Sequence, residues 1–144
     1  MSTVLVVDDS PTQLAGLVRP LRDAGFAVLC AQSADDALDL AERFQPDVIF
    51  MDIIMPSMDG YQATRQLMRQ ASTAHIPVVM ITSKNQPSDR VWGLRQGAVA
   101  YLTKPVDEPL LVAVAERLSG SYNPILLDAR EPLVSPDWDS ERTG

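Results

Sequence analysis

The sequence predicts an α/β domain wound around a five-stranded parallel sheet. Three observations carry that expectation: short apolar runs recur, helical stretches separate them, and chemically active residues stand where the runs end. The runs are Val4–Val7, Ala27–Cys30, Val48–Met51, Val78–Ile81 and Ala98–Leu102. They are short, rich in β-branched residues and almost continuously apolar, as strands covered on both faces are. Repeated strand–helix alternation then favours a doubly wound arrangement with right-handed crossovers and helices on both sheet faces.

Each intervening segment carries its own helix signals. Ser10–Pro11 reads as an N-cap followed by proline at the first helical position, and Gly25 closes that helix. Pro20 falls inside it and removes the hydrogen bond to Gly16, so a local kink is expected. Ser33 opens the second helix, whose apolar face would comprise Ala37, Leu38, Leu40, Ala41 and Phe44. Ser88–Asp89 is expected to start a later helix closed by Gly97, and Asp107 the last one. Cys30, the single cysteine, reads as a small core residue, and His75 as structural, at the end away from the loaded strand ends.

With 144 residues, 46% of them hydrophobic and 22% charged, the chain has material for one domain with a full core. No apolar run approaches the length of a membrane span, and the N-terminus lacks a basic signal region, so a cytoplasmic location without membrane insertion is expected. A net charge of −7 argues against direct nucleic-acid binding. The domain is expected over residues 1–120. Residues 121–144 read as an acidic, proline-containing C-terminal tail, although Ile125–Leu127 and Trp138 are more apolar than a solubilising tail requires.

In an open parallel sheet, ligands collect outside the carboxyl ends of the strands. Here those ends carry Asp8–Asp9, Asp52, Thr82–Ser83 and Lys104. Each has a plain structural explanation alone: helix capping for Asp8 and Asp9, a turn for Asp52, solvation for Lys104. Together they fit one task. Three close carboxylates repel one another unless a cation intervenes, and a hard divalent ion such as Mg²⁺ or Mn²⁺ takes oxygen ligands. A carboxylate oxygen of Asp52 is then placed to attack phosphorus, with Lys104 and Thr82 steadying the phosphoryl oxygens.

These residues resemble the receiver domain of two-component response regulators, the CheY-like family. The matching features are Val6–Ser10, Met51–Pro56 with Asp59–Gly60, Thr82–Ser83, Gly97–Ala98 with Tyr101, and Lys104–Pro105, spread over residues 3–119. The resemblance implies a flavodoxin-like fold with strand order 2-1-3-4-5. It implies Asp52 as phosphoacceptor, Asp9, Asp52 and the Ile54 carbonyl as direct metal ligands, and Asp8 close by through water. It also implies Thr82 and Tyr101 as a switch pair, with Tyr101 swinging inward, and a cis bond between Lys104 and Pro105. Partners would be a histidine kinase, a CheA-like kinase among the candidates, and a downstream protein; a homodimer is left open. The output face would be the fourth helix, fifth strand and fifth helix, where Trp92 is a candidate partner anchor and Val91 and Leu94 should point to the core.

A narrower resemblance, in Pro11–Thr12, Gln62–Leu67 and Asp89–Gly97, is to stand-alone regulators of type IV pilus twitching motility. Val99–Ala100 departs from the acidic residues receivers often have before the switch aromatic. Rival classes fit less well. A phosphatase with an aspartyl-phosphate intermediate would want a second acid where Ile54 stands, and a flavodoxin-like cofactor binder would not put Asp8–Asp9 against a phosphate. A DNA-binding regulator would need an effector domain larger than the tail. Within the family, a phosphate sink for a shared kinase is the alternative to an output regulator.

Overall fold

A computed structural model of the chain describes residues 2–120, and the expected tail at 121–144 lies outside the described residues. The elements alternate strictly: β1 (Thr3–Val7), α1 (Pro11–Asp23), β2 (Ala27–Ala31), α2 (Ala34–Phe44), β3 (Val48–Met51), α3 (Gly60–Arg69), β4 (Val78–Thr82), α4 (Pro87–Arg95), β5 (Ala100–Thr103) and α5 (Glu108–Leu118). All strand pairs are parallel, in the order β2-β1-β3-β4-β5. The chain order reverses at β1, whose neighbours are β2 and β3, and this opens a crevice at the carboxyl ends of β1 and β3.

Alternating side chains along each strand feed two separate cores. Val4 and Val6 of β1 pack with Phe50, Ile81 and Leu102 against Leu14, Val18 and Leu21 of α1 and Leu111 and Val114 of α5. Leu5 and Val7 face the other way, with Ile49, Met51 and Val78, against Ala34, Ala37 and Ala41 of α2 and Ala63 and Leu67 of α3. The run of alanines lets α2 lie close to the sheet. Burying each large aliphatic or aromatic side chain stabilises the fold by about 1.5–3 kcal/mol before entropy is counted. A third cluster, Ile53, Tyr61, Met80, Ala98 and Tyr101, lies between α3, β4 and β5.

Local signals explain the helix ends. Ser10, Ser33, Asp59 and Asp107 each accept a hydrogen bond from a backbone N–H of the first turn, and Asp59 with Gln62 completes a capping box. α1 ends in a Schellman arrangement: Gly25 N–H donates to the Arg22 carbonyl at 2.9 Å and Phe26 N–H to Leu21 at 3.1 Å. Gly25 has φ +99°, which a side chain would oppose.

Several expectations are corrected. α4 starts at Pro87 with Gln86 before it, not at Ser88–Asp89; Asp89 instead accepts from Gln86 N–H at 3.2 Å. β5 begins at Ala100, two residues later than the apolar run suggested. α1 continues through Pro20 as one helix, with Pro20 buried. Cys30 is exposed, because β2 is an edge strand and its outer residues are only partly covered. Phe44 is exposed at the end of α2, with the Arg43 guanidinium 5.5 Å from its ring centroid. Val91 is also exposed, because α4 turns Arg90 and Gly93 toward the sheet and has no apolar stripe. His75 is exposed just before β4.

Gly60 sits where the loop after β3 folds back, its N–H donating to the Ile53 carbonyl at 2.9 Å. A Cβ there would lie 2.3 Å from the Asp52 carbonyl oxygen and 2.8 Å from Ile53 Cα, both backbone atoms that cannot step aside. Gly60→Ala is therefore expected to destabilise the protein by about 2 kcal/mol, the usual scale of a forced overlap, read as a lower urea midpoint. An unchanged midpoint would contradict this contact.

Candidate functional site

The site is built where β1, β3, β4 and β5 end. Backbone pairing carries the first two past their strands: Asp8 N–H donates to the Ala31 carbonyl at 3.1 Å and Asp52 N–H to Val7 at 2.9 Å. Their carboxyl groups consequently emerge side by side. Asp8 and Asp52 are both buried, whereas Asp9 is exposed at the rim. One carboxylate oxygen from each of Asp8, Asp9 and Asp52 lies within 4.8 Å of the others.

Lys104, just beyond β5, reaches into this group. Its Nζ lies 2.7 Å from Asp8 Oδ2 and 3.5 Å from Asp52 Oδ2, and it also donates to the Gln13 side chain on the first turn of α1. Asp8 accepts a further hydrogen bond from Ser10 N–H at 2.9 Å. The Lys104–Pro105 peptide is cis, and Lys104 N–H donates to the Thr82 carbonyl at 2.8 Å, tying the end of β5 to the end of β4. Thr82 is fully buried, and its Oγ1 accepts from Lys84 N–H at 3.4 Å. A groove of about 470 Å³ runs beside Lys104, lined by Gln13, Gly16, Leu17, Ser83 and Val106.

Burial raises the Asp52 carboxyl above its ordinary range. The Lys104 ammonium opposes that rise, Asp8 adds to it, and the Ile54 and Ile53 backbone N–H groups oppose it through hydrogen bonds. Ile54 directs its side chain to solvent from the loop past Asp52. The donor set suits a hard divalent cation. Three carboxylates facing one ammonium leave an excess of negative charge, all the donors are oxygens, and the exposed position of Asp9 leaves room for retained water.

Tyr101 stands one strand away, on β5 opposite Met80. Its ring is fully buried, and its hydroxyl donates to the Lys84 carbonyl at 2.9 Å. Trp92 is 46% exposed on α4 and meets Tyr61 edge-to-face, with centroids 6.5 Å apart. Four residues that the sequence does not single out bear on the site: Gln13, Lys84, Tyr61 and Arg90. Only Gln13 leaves a trace in sequence, three residues after the Ser10 cap, where a helix faces back toward its own N-terminus.

This fold and this site define a signalling receiver. The model of the response regulator receiver domain matches residues 4–116, and the chain belongs to that family. It is 51% identical to protein PilH of Pseudomonas aeruginosa over 112 residues, 78% of this chain and 93% of PilH. It is 40% identical over 116 residues to response regulator PleD of Caulobacter vibrioides, covering 81% of this chain and 26% of PleD. Among solved structures, the receiver domain of sensor histidine kinase PA1611 from P. aeruginosa is 31% identical, with a TM-score of 0.77. That match covers 83% of this chain and 98% of the other, and PA1611 holds a magnesium ion in its active site cleft. Chemotaxis protein CheY4 of Vibrio cholerae is also 31% identical, with a TM-score of 0.77 over 82% of this chain and 98% of that one. Receiver domains are signalling proteins of two-component systems. They bind Mg²⁺ at an acidic site and interact with histidine kinases and downstream targets.

The raised Asp52 carboxyl has a consequence for stability. A carboxylate whose folded pKa lies above its unfolded value destabilises the fold once pH exceeds the unfolded value, near 3.8. Asp52→Asn removes that charge with little change of shape. Without metal at pH 7, the variant is expected to be more stable than wild type, with a higher urea midpoint. Added Mg²⁺ should narrow or reverse the gap in urea midpoint; a variant less stable than wild type without metal would contradict the charge balance described above.

Proposed function

We propose that this chain is a phosphorylation-driven switch that takes a phosphoryl group from a histidine kinase on Asp52. The single observation that carries the reading is the buried Asp52 carboxylate beside buried Asp8, with the Lys104 ammonium against both. An Asp52 oxygen attacks phosphorus, a P–O bond forms, and the P–N bond to the donor imidazole breaks, the nitrogen keeping the electron pair. Asp9, Asp52 and the Ile54 carbonyl would hold Mg²⁺ or Mn²⁺, with Asp8 linked through water. The bound ion supplies charge neutralisation at the phosphoryl oxygens.

The chain's own groups do the rest. Lys104 moves from carboxylate to phosphoryl, exchanging one anionic partner for another. The Thr82 hydroxyl donates to a phosphoryl oxygen. Asp52 then carries about −1.5 to −2 in place of −1, which biases a two-state surface. The output face would be α4, β5 and α5, with Trp92 as the partner anchor. Because Ile54 offers no side-chain acid or base two residues after the nucleophile, the adduct outlasts that of a hydrolase. The protein thus catalyses its own phosphotransfer and slow dephosphorylation and turns over no external substrate.

The likeness to PilH supports a place in the control of type IV pili and twitching motility, in the cytoplasm. No helix among the described residues is long and apolar enough to cross a membrane. Residues 1–120 would be the receiver, and 121–144 a separate tail.

Incubation with acetyl phosphate and Mg²⁺, read by intact mass, is expected to show one phosphoryl adduct on the wild type and none on Asp52→Asn. An adduct persisting in the variant would move the acceptor elsewhere. For the pilus role, expression in P. aeruginosa lacking PilH should restore twitching, and the Asp52→Asn chain should not.

A further inference from the structure

We propose that Tyr61 is a latch: its hydroxyl holds Tyr101 inward, and its ring carries that position to Trp92 on the exposed side of α4. The proposal rests on the receiver-switch reading for its consequence, but its geometry stands apart from the phosphoryl site.

Tyr101 is held on several sides. Its one hydroxyl proton is shared between the Lys84 carbonyl, 2.9 Å away, and the oxygen of the Tyr61 hydroxyl, which accepts. The Arg90 guanidinium, itself buried, lies 5.8 Å from the ring centroid. Gly93 of α4 closes another side, where a Cβ would come 3.1 Å from Tyr101 Cδ2 and 2.7 Å from Met80 Sδ. The Tyr61 hydroxyl in turn donates to the Asp89 carbonyl at 3.1 Å, inside the first turn of α4. Two phenol groups thus bind each other and two carbonyls that bracket the entry to α4.

The path continues in both directions. Lys84, whose carbonyl receives the Tyr101 hydroxyl, gives its own N–H to Thr82 Oγ1 at the site. On the far side, the Tyr61 ring stands edge-on to Trp92 at 73°, one ring buried and the other half-exposed. Burial raises both phenol pKa values, so both protons remain in place through the neutral range and both hydroxyls act as donors. Tyr61 is on α3 and Tyr101 on β5, so their contact joins these two elements directly. Tyr61 thereby holds the Tyr101 ring in its buried position.

Tyr61→Phe tests this, since it removes the hydroxyl and keeps the ring beneath Trp92. Full-length protein labelled with 3-fluorotyrosine has three ¹⁹F signals, and that of Tyr101 is assigned by its loss in Tyr101→Phe. In Tyr61→Phe the Tyr101 signal should move toward the solvent-exposed position, with an outward population about fivefold larger, as loss of one net hydrogen bond gives. A Tyr101 signal that stays in place overturns the latch, whatever the protein does with phosphoryl donors. In a Trp138→Phe background, Trp92 fluorescence then follows beryllofluoride with Mg²⁺. The midpoint should rise about fivefold in Tyr61→Phe and should not rise further when Tyr101→Phe is already present. Additive midpoint shifts overturn the coupling. A wild type whose Trp92 ignores beryllofluoride sinks the receiver-switch reading instead, and the ¹⁹F result alone then decides the latch.

Discussion

Lys104 between Asp8 and Asp52 is the interaction on which the rest of the site depends. Two buried carboxylates facing each other are costly, and an ammonium 2.7 Å from one and 3.5 Å from the other offsets much of that cost. The compensation is incomplete, because burial still leaves the Asp52 carboxyl raised. A resting site of this kind is short of positive charge. It therefore favours a divalent ion. The backbone arranges this without side-chain help: parallel pairing of β1 with β3 brings Asp8 and Asp52 out together, and the link from Lys104 to the Thr82 carbonyl fixes the lysine's origin.

The fold was legible because its signals are redundant. Val4–Val7 and Val48–Met51 are apolar on both faces, which in a chain of this length leaves little but a covered parallel strand. Asp8, Asp52, Thr82 and Lys104 were legible for a related reason, since topology alone sends strand ends to one edge. What the sequence hid was mostly a matter of edges and of α4. Cys30 reads as core until β2 is known to be an outer strand. Val91 reads as core because α4 is assumed to be amphipathic, whereas its sheet-facing positions are Arg90 and Gly93, a buried arginine and a residue with no side chain. Tyr61 was invisible, because a tyrosine after Asp59–Gly60 gives no hint of a partner forty residues further on.

The same comparison separates what belongs to the family from what belongs to this chain. Receiver domains bind Mg²⁺ at an acidic site, and the cluster of Asp8, Asp9 and Asp52 is of that kind. The aromatic arrangement of Tyr61, Trp92 and Tyr101 around Arg90 is a property of these particular residues. It gives the exposed face of α4 a mechanical connection to the interior that surface charge alone would not provide.

Gly93 shows how strict that connection is. With hydrogen in place of a side chain, α4 rests directly on the edge of the Tyr101 ring and on Met80. No spacer absorbs a displacement there. If the ring leaves, it opens a void against bare backbone, and close-packed interiors tolerate such voids poorly. The helix must then settle inward or the ring must return. Excluded volume alone thus makes the depth of α4 a function of one aromatic rotamer, and its outer surface inherits that dependence.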